Sequence, residues 1–175
     1  MKRLSIFAAT TLFSLLAFAQ NKNVKQVKNE TSNQPYKVGA THISVGNDAY
    51  AQKILWAWKY YDDNTLDKAA GLLADDVEAT FPDGSVVKGK DNFMKGIQDD
   101  RNNIVSSVST VDACVTLKTP DDPEHEVVSI WGSETDTNKD GTTSKVYLNE
   151  VWFFNKEGKV VEFHQFAAKG TADKK

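Results

Sequence analysis

The sequence predicts an α+β domain: helices early in the chain, interleaved with and followed by a meander of long antiparallel strands. Three observations carry this reading. Tyr50, Ile54, Trp58 and Tyr61 recur at helical spacing, with Ala51, Leu55 and Ala57 beside them. The stretch 66–89, LDKAAGLLADDVEATFPDGSVVKG, passes from a helical face to a short strand, a tight turn at Pro82-Asp83-Gly84 and a second short strand. Beyond it lie long apolar-rich runs separated by the turn signals Asn138-Lys139-Asp140-Gly141 and Asn155-Lys156-Glu157-Gly158. Helices packed on one face of an antiparallel meander define the α+β class.

The N-terminus reads as a removable segment. Lys2 and Arg3 precede an apolar run over 4–16, and Ala17-Phe18-Ala19 supplies a small-residue cleavage site before Gln20. That is the layout of a secretory signal peptide, 1–19, too short in its apolar run to span a bilayer. The chain is therefore expected to be exported, periplasmic or secreted, with no integral membrane segment after cleavage. Residues 20–45 are polar and without apolar period, and are expected to be a flexible leader. The folded domain is expected over 46–169, with a polar tail at 170–175.

Charge and cysteine usage narrow the classes further. The chain has 21 basic and 24 acidic residues, a net charge of −3. Two of the basic residues fall in the segment expected to be removed, so the mature domain is more acidic still. An acidic surface lacks the basic face that releases counterions from phosphates, so nucleic acid is not an expected partner. Cys114 is the single cysteine, which excludes an intrachain disulfide, and its place in an alternating strand favours a buried, inert thiol.

Taken in order, Asn47 or Asp48 caps the first helix, which runs to about Tyr61. Its aromatics fill a core or line a cavity. Asn64 or Thr65 caps the second, whose Leu66, Ala69, Ala70, Leu72 and Leu73 make one face, and Asp75-Asp76 is expected to end it because carboxylates oppose the dipole there. A strand over 77–81 and the Pro82-Asp83-Gly84 turn follow. Asp91 is expected to cap a third helix, 92–102, buried through Phe93, Met94 and Ile97. In the next long strand Val105, Val111, Ala113, Val115 and Leu117 are read as one face, interrupted by Ser107 and Ser109. Strands over 126–136, 142–154 and 159–168 complete the sheet.

The strand 145–154 is apolar on both faces: Val146, Leu148, Trp152 and Phe154 alternate with Tyr147, Val151 and Phe153. Hairpin-connected sheets ordinarily leave one face wet. Three helices cover one face only, so a second copy of the chain is expected against the other. The expected state is a homodimer through the sheet.

Several short motifs together resemble the SnoaL-like branch of the nuclear transport factor 2-like superfamily. They are Tyr60-Tyr61 with the run 62–67 (DDNTLD), the run 72–77 (LLADDV), Phe81-Pro82-Asp83-Gly84 with Gly89, then 151–155 (VWFFN) and Gly158-Lys159-Val160-Val161. The resemblance spans about 48–169. It implies a cone of curved antiparallel sheet wrapped around helices, with a pocket in the open end, and dimerisation through the sheet. The family hosts both enzymes and non-catalytic domains, so the fold alone names no chemistry. Ketosteroid isomerase shows the same motifs; its reaction needs a carboxylate base with an oxyanion hole of a Tyr and a protonated Asp. The alignment of motifs puts Phe81 at the base, Ala57 at the Tyr and Glu150 at the protonated Asp, which leaves that reaction without its base.

Glu150 is accordingly the candidate for chemistry. A carboxylate directed into such a pocket has its pKa raised by desolvation and is able to donate a hydrogen bond or move a proton. A salt bridge to Lys, or a wet strand edge, is the alternative. Trp58, Phe81, Trp131, Trp152 and Phe163 are expected as walls, with Glu150 and Gln165 as polar anchors. His164 is expected to face outward, opposite in sense to Phe163 and Gln165. No His, Cys or Glu spacing indicates zinc. The segment 136–141 (DTNKDG) imitates half a calcium loop, but Tyr147 stands where a bidentate Glu is required and the flanks read as strands, so a hairpin turn is preferred. Neither metal nor cofactor is expected. The leading functional reading is binding of a small hydrophobic molecule; the alternatives are a cofactor-free isomerase, dehydratase or hydrolase using Glu150 as acid or base, and a non-catalytic dimerisation module.

Overall fold

A seven-stranded sheet, in the order β1-β4-β5-β6-β7-β2-β3, carries its helices on one face. The strands are β1 (Ser44–Val45), β2 (Leu73–Thr80), β3 (Val86–Lys88), β4 (Ile104–Thr119), β5 (Asp122–Asn138), β6 (Thr143–Phe154) and β7 (Val160–Lys169). Helices α1 (Asp48–Asp62) and α2 (Lys90–Arg101) and a 3-10 helix, Leu66–Leu72, complete the domain. All neighbouring strands run antiparallel except β2 and β7, which are parallel. This is the α+β architecture expected from the sequence. The computed structural model describes residues 35, 36, 38–40 and 42–170. The expected signal peptide, most of the expected leader and the tail beyond Gly170 lie outside them.

Helix α1 starts where the sequence says, and the reason is local. Asn47 Oδ1 accepts a hydrogen bond from Ala49 N at 3.0 Å, and Asp48 in the first turn favours the helix dipole. Its buried stripe is Ala51, Ile54, Ala57 and Trp58. That stripe packs on β4, where Thr116 Oγ1 accepts from Ala51 N at 3.2 Å and the Cys114 thiol donates to Ala51 O at 3.5 Å. Burial pushes the Cys114 thiol up to about 11, so it is held protonated and unreactive.

Three local expectations need correction. The second helix is a 3-10 helix that ends at Leu72, so Asp75 and Asp76 sit inside β2 and do not terminate the helix; Leu73 and Val77 need the strand in order to bury against the core. Helix α2 begins at Lys90, with Gly89 at φ 85° as its N-cap and no side-chain capping by Asp91. The expected leader ends sooner than residue 45, because Ser44 and Val45 pair with Lys118 and Leu117.

A fourth correction concerns β4. Its register against β5 shifts between Val111 and Ala113, and such a bulge reverses which side chains face the core. Ser107 and Ser109 point inward before it; Cys114 and Thr116 point inward after it. Val105, Val111 and Val115 do not form a buried face and stay exposed: Val105 and Val111 sit at the two register shifts, and Val115 lies beyond the reversal. Gly132 lies opposite the bulge, and a Cβ there would come within 2.0 Å of Thr110 O, so only glycine permits the approach.

The remaining turns match expectation. Gly84 N donates to Phe81 O, with Gly84 at φ 83°, and Asn138 pairs with Thr142 around Gly141. The 136–141 segment is thus the end of β5 and a hairpin turn. In the core between the sheet and the helices Ile54, Val77, Val128, Ile130, Phe154 and Val160 are fully buried. On the outer face Trp131, Asn149 and Phe166 stand side by side across β5, β6 and β7, with Trp131 40% and Phe166 56% exposed. Among the described residues no helix is long and apolar enough to cross a membrane.

Candidate functional site

Between the sheet and the helices lies a cavity of about 650 Å³. Its apolar wall is one aromatic cluster. Phe93 of α2 meets Trp152 edge-on at 6.5 Å and Phe163 at 5.4 Å, Trp152 and Phe163 lie 4.4 Å apart, and Phe81 reaches both phenylalanines at 5.7–6.1 Å. Tilted and edge-to-face rings gain beyond their burial and hold one another in place. Leu66, Ala69 and Leu72 of the 3-10 helix and Met94 and Ile97 of α2 close the other side.

Glu150 sits at the buried centre of β6. Its Oε2 accepts from Trp58 Nε1 at 2.6 Å and Trp152 Nε1 at 3.1 Å, and its Oε1 accepts from Gln165 Nε2 at 2.9 Å. None of these donors carries a charge. Burial raises the Glu150 pKa above the usual carboxylate range, and the three hydrogen bonds pull against that rise. Glu150 is one of the residues that line the cavity.

A second acidic group lies four residues along β5 from Ile130, the partner of Glu150 in the ladder. Glu134 lines the cavity, and burial followed by the negative charges of Asp136, Glu150 and Asp62 raises its pKa to about 8. Asp62, at the end of α1, accepts from Ser109 N at 3.1 Å and Ser109 Oγ at 2.8 Å. Tyr61 donates its hydroxyl to Asp100 Oδ2 at 2.8 Å, and burial holds the phenol protonated. Arg101 is buried beside them but spends its donors on the main-chain carbonyls of Tyr61, Asp62 and Ile104. It caps the end of α1 and, among the described residues, makes no ion pair.

The structure brings Trp58, Phe81, Trp152, Phe163, Glu150 and Gln165 together around the cavity. Trp131 is the exception. It was expected as a wall, and it points to the outer face, because Ile130 and Gly132 take the inward positions of that part of β5. His164 faces outward as read, its Nε2 2.6 Å from Glu162 Oε1. Glu134 was missed. It continues the inward series Val128, Ile130, Gly132, a signal that alternation offered but that a charged residue near a turn obscures. Among the described residues no group of three or more His, Cys, Asp or Glu side chains is arranged to hold a metal.

No family profile and no curated protein matches the sequence. Solved structures do. A nuclear transport factor 2-like protein from Burkholderia pseudomallei is 21% identical over 68% of this chain and 90% of its own, with a TM-score of 0.55. A SnoaL-like protein from Burkholderia thailandensis is 18% identical over 71% and 99%, with a TM-score of 0.52. An LEH-like epoxide hydrolase from M. tuberculosis is 7% identical over 69% and 84%, with a TM-score of 0.57.

Proposed function

We propose that this chain, which has the nuclear transport factor 2-like fold of SnoaL-like proteins, binds a small, largely apolar molecule in its cone. The observation that supports this most is the cavity of about 650 Å³, walled by an aromatic cluster with Glu150 and Gln165 as its central polar groups. Ligand sites of this size are mainly apolar with a few convergent polar groups that fix orientation. None of Glu150's hydrogen-bond donors among the described residues is basic, so they position the carboxyl group without an ion pair. The exposed row of Trp131 and Phe166 supports a homodimer through the outer sheet face. The N-terminal pattern Lys2-Arg3, apolar run and Ala17-Phe18-Ala19 supports export.

Native mass spectrometry of protein isolated from its source tests both parts. The expected result is a dimer mass with a co-purifying small molecule, and a monomer mass for Trp131→Lys. A wild-type monomer overturns the dimer. A protein that carries no ligand and gains no thermal stability from any member of an apolar compound set overturns the binding reading.

A second reading has its own observation. Glu134, raised to about 8, exchanges protons near neutrality in the same cavity as Glu150, which suits an acid–base enzyme of the isomerase, dehydratase or hydrolase kind. Turnover of a discovered substrate by Glu150→Gln at the wild-type rate would falsify the part assigned to Glu150.

A further inference from the structure

A second space, of about 260 Å³, opens between α1 and the 3-10 helix. Lys53, Trp56 and Tyr60 share one stripe of α1, and Lys68 and Gly71 come from the 3-10 helix opposite. Ala57, Ala69 and Leu72 line both this groove and the central cavity, so the two spaces stand back to back. Their charge is opposite. Among the described residues the central cavity is lined by Asp83, Asp100, Glu134 and Glu150 and by no Lys, Arg or His. The groove is lined by Lys53 and Lys68 and by no Asp or Glu.

The groove also holds an open aromatic platform. Trp56 is 56% exposed, against 6–40% for the other three tryptophans. Its ring lies against Tyr60, with centroids 5.8 Å and planes 29° apart. Lys68 Nζ stands 5.7 Å from the centre of the Tyr60 ring. Lys53 Nζ stands 5.3 Å from that of Tyr50 and donates to Gly158 O at 3.0 Å. Ring faces and a carbonyl thus hold both ammonium groups, where other exposed lysines hold carboxylates. Lys59 pairs with Asp63, Lys88 with Glu78, Lys95 with Asp99 and Lys156 with Glu124. An indole face open to solvent offers a stacking surface, and two ammonium groups without carboxylates offer anchors for an anion.

We infer that this groove is a second binding site, for a small planar aromatic carboxylate. The guest's ring lies on Trp56 and Tyr60, and its carboxylate meets the Lys53 and Lys68 ammonium groups. Size sets the class. The groove is smaller than the roughly 300–1,000 Å³ of sites that enclose a drug-sized molecule, so it takes one ring or a fused pair. Charge sets the rest. The chain as a whole is acidic, with 24 acidic against 21 basic residues, so a long polyanion is repelled while a single carboxylate finds both lysines. The same anion is disfavoured in the acid-lined central cavity behind Ala57, Ala69 and Leu72. The two spaces therefore sort their guests by charge, and the groove does not depend on what the cavity holds.

Two probes with one aromatic body decide the matter: 2-naphthoate and 2-naphthalenemethanol, titrated into the isotope-labelled intact protein while the four indole N–H signals are followed by NMR. The Trp56 signal is the one missing from Trp56→Ala. Naphthoate should move that signal and leave those of Trp58 and Trp152 in place. At low salt it should hold the groove about fivefold tighter than the alcohol, and added salt should close the gap by screening the exposed lysines. Trp56→Ala should weaken naphthoate about tenfold, as loss of a stacking face does. Lys68→Gln should weaken it about threefold and leave the alcohol unchanged. Naphthoate that moves the Trp58 and Trp152 signals instead, or none of the four, overturns the inference. So does an alcohol that holds the groove as tightly as the acid. Each of these results leaves the reading of the central cavity intact.

Discussion

Glu150 and Glu134 share one cavity and one sheet face, yet the chain treats them oppositely. Glu150 receives two indole N–H groups and an amide, so each of its oxygens is occupied by a donor. Glu134 receives negative neighbours: Asp136, Glu150 and Asp62 all push its proton affinity up. The first is a carboxyl group held by neutral donors, and the second shares its hydrogen bond with a like-charged neighbour. Burial raises both pKa values, but only at Glu134 do neighbouring charges add to it. Pocket polarity is thus of two kinds, one matched by neutral donors and one pressed by like charges.

The sharpest way to break this contrast is to delete the ordered group. Glu150→Ala strands the Trp58 and Trp152 N–H groups in a buried place and opens a cavity beside them, with an expected loss of about 3 kcal/mol in urea unfolding. A loss below about 1 kcal/mol would show that Glu150 is not part of the frame.

Next comes pH. A carboxyl group whose folded pKa is raised stabilises the fold fully below its unfolded value near 4.5, and that contribution is lost as pH rises through the folded value near 8. Stability should therefore fall by about 2 kcal/mol between pH 5 and pH 8.5, a figure discounted for the solvent that Glu134 still meets. In Glu134→Gln the slope should flatten and the stability at pH 8.5 should exceed wild type. Parallel curves for the two proteins would remove Glu134 as the source.

The smallest effect sharpens the comparison. Trp58→Phe keeps the ring and removes one donor to Glu150, costing about 1 kcal/mol and raising the Glu150 pKa further. The corresponding signal is the Glu150 carboxyl carbon in an NMR titration, which should move to higher pH. An unmoved midpoint would mean that the indole contributes packing alone.

The sequence made the architecture readable because its signals were local. The Asp140-Gly141 and Glu157-Gly158 turns fix the hairpins, and the motifs between residues 60 and 89 are dense enough to order the elements. The inward side chains of β6 and β7 followed from alternation, which placed Glu150, Trp152, Phe163 and Gln165 correctly. Alternation fails where both faces are apolar or where the period breaks. Val127-Val128-Ser129-Ile130-Trp131 offers hydrophobic residues on both parities, so nothing local forbade the wrong side for Trp131. The bulge opposite Gly132 inserts a residue into β4, and composition alone does not announce it. Glu134 was illegible for another reason: a glutamate near a hairpin is ordinarily solvated, and only the folded chain sets it beside Asp136, Asp62 and Tyr61.

The parallel pairing of β2 with β7 carries a consequence for the order of assembly. Leu73 pairs with Val160 and Ala79 with Phe163, so a strand made early waits for one made nearly last. The β4–β7 meander closes through short hairpins, whereas this contact spans about half the chain and bears the loop-closure entropy. Phe163 and Gln165 arrive with that final strand and are themselves part of the cavity wall. Without β7 the cavity would lose Phe163, Gln165 and Ala167 from its wall. The wall of the cavity is therefore complete only once the pairing of largest sequence separation on this side of the sheet is made.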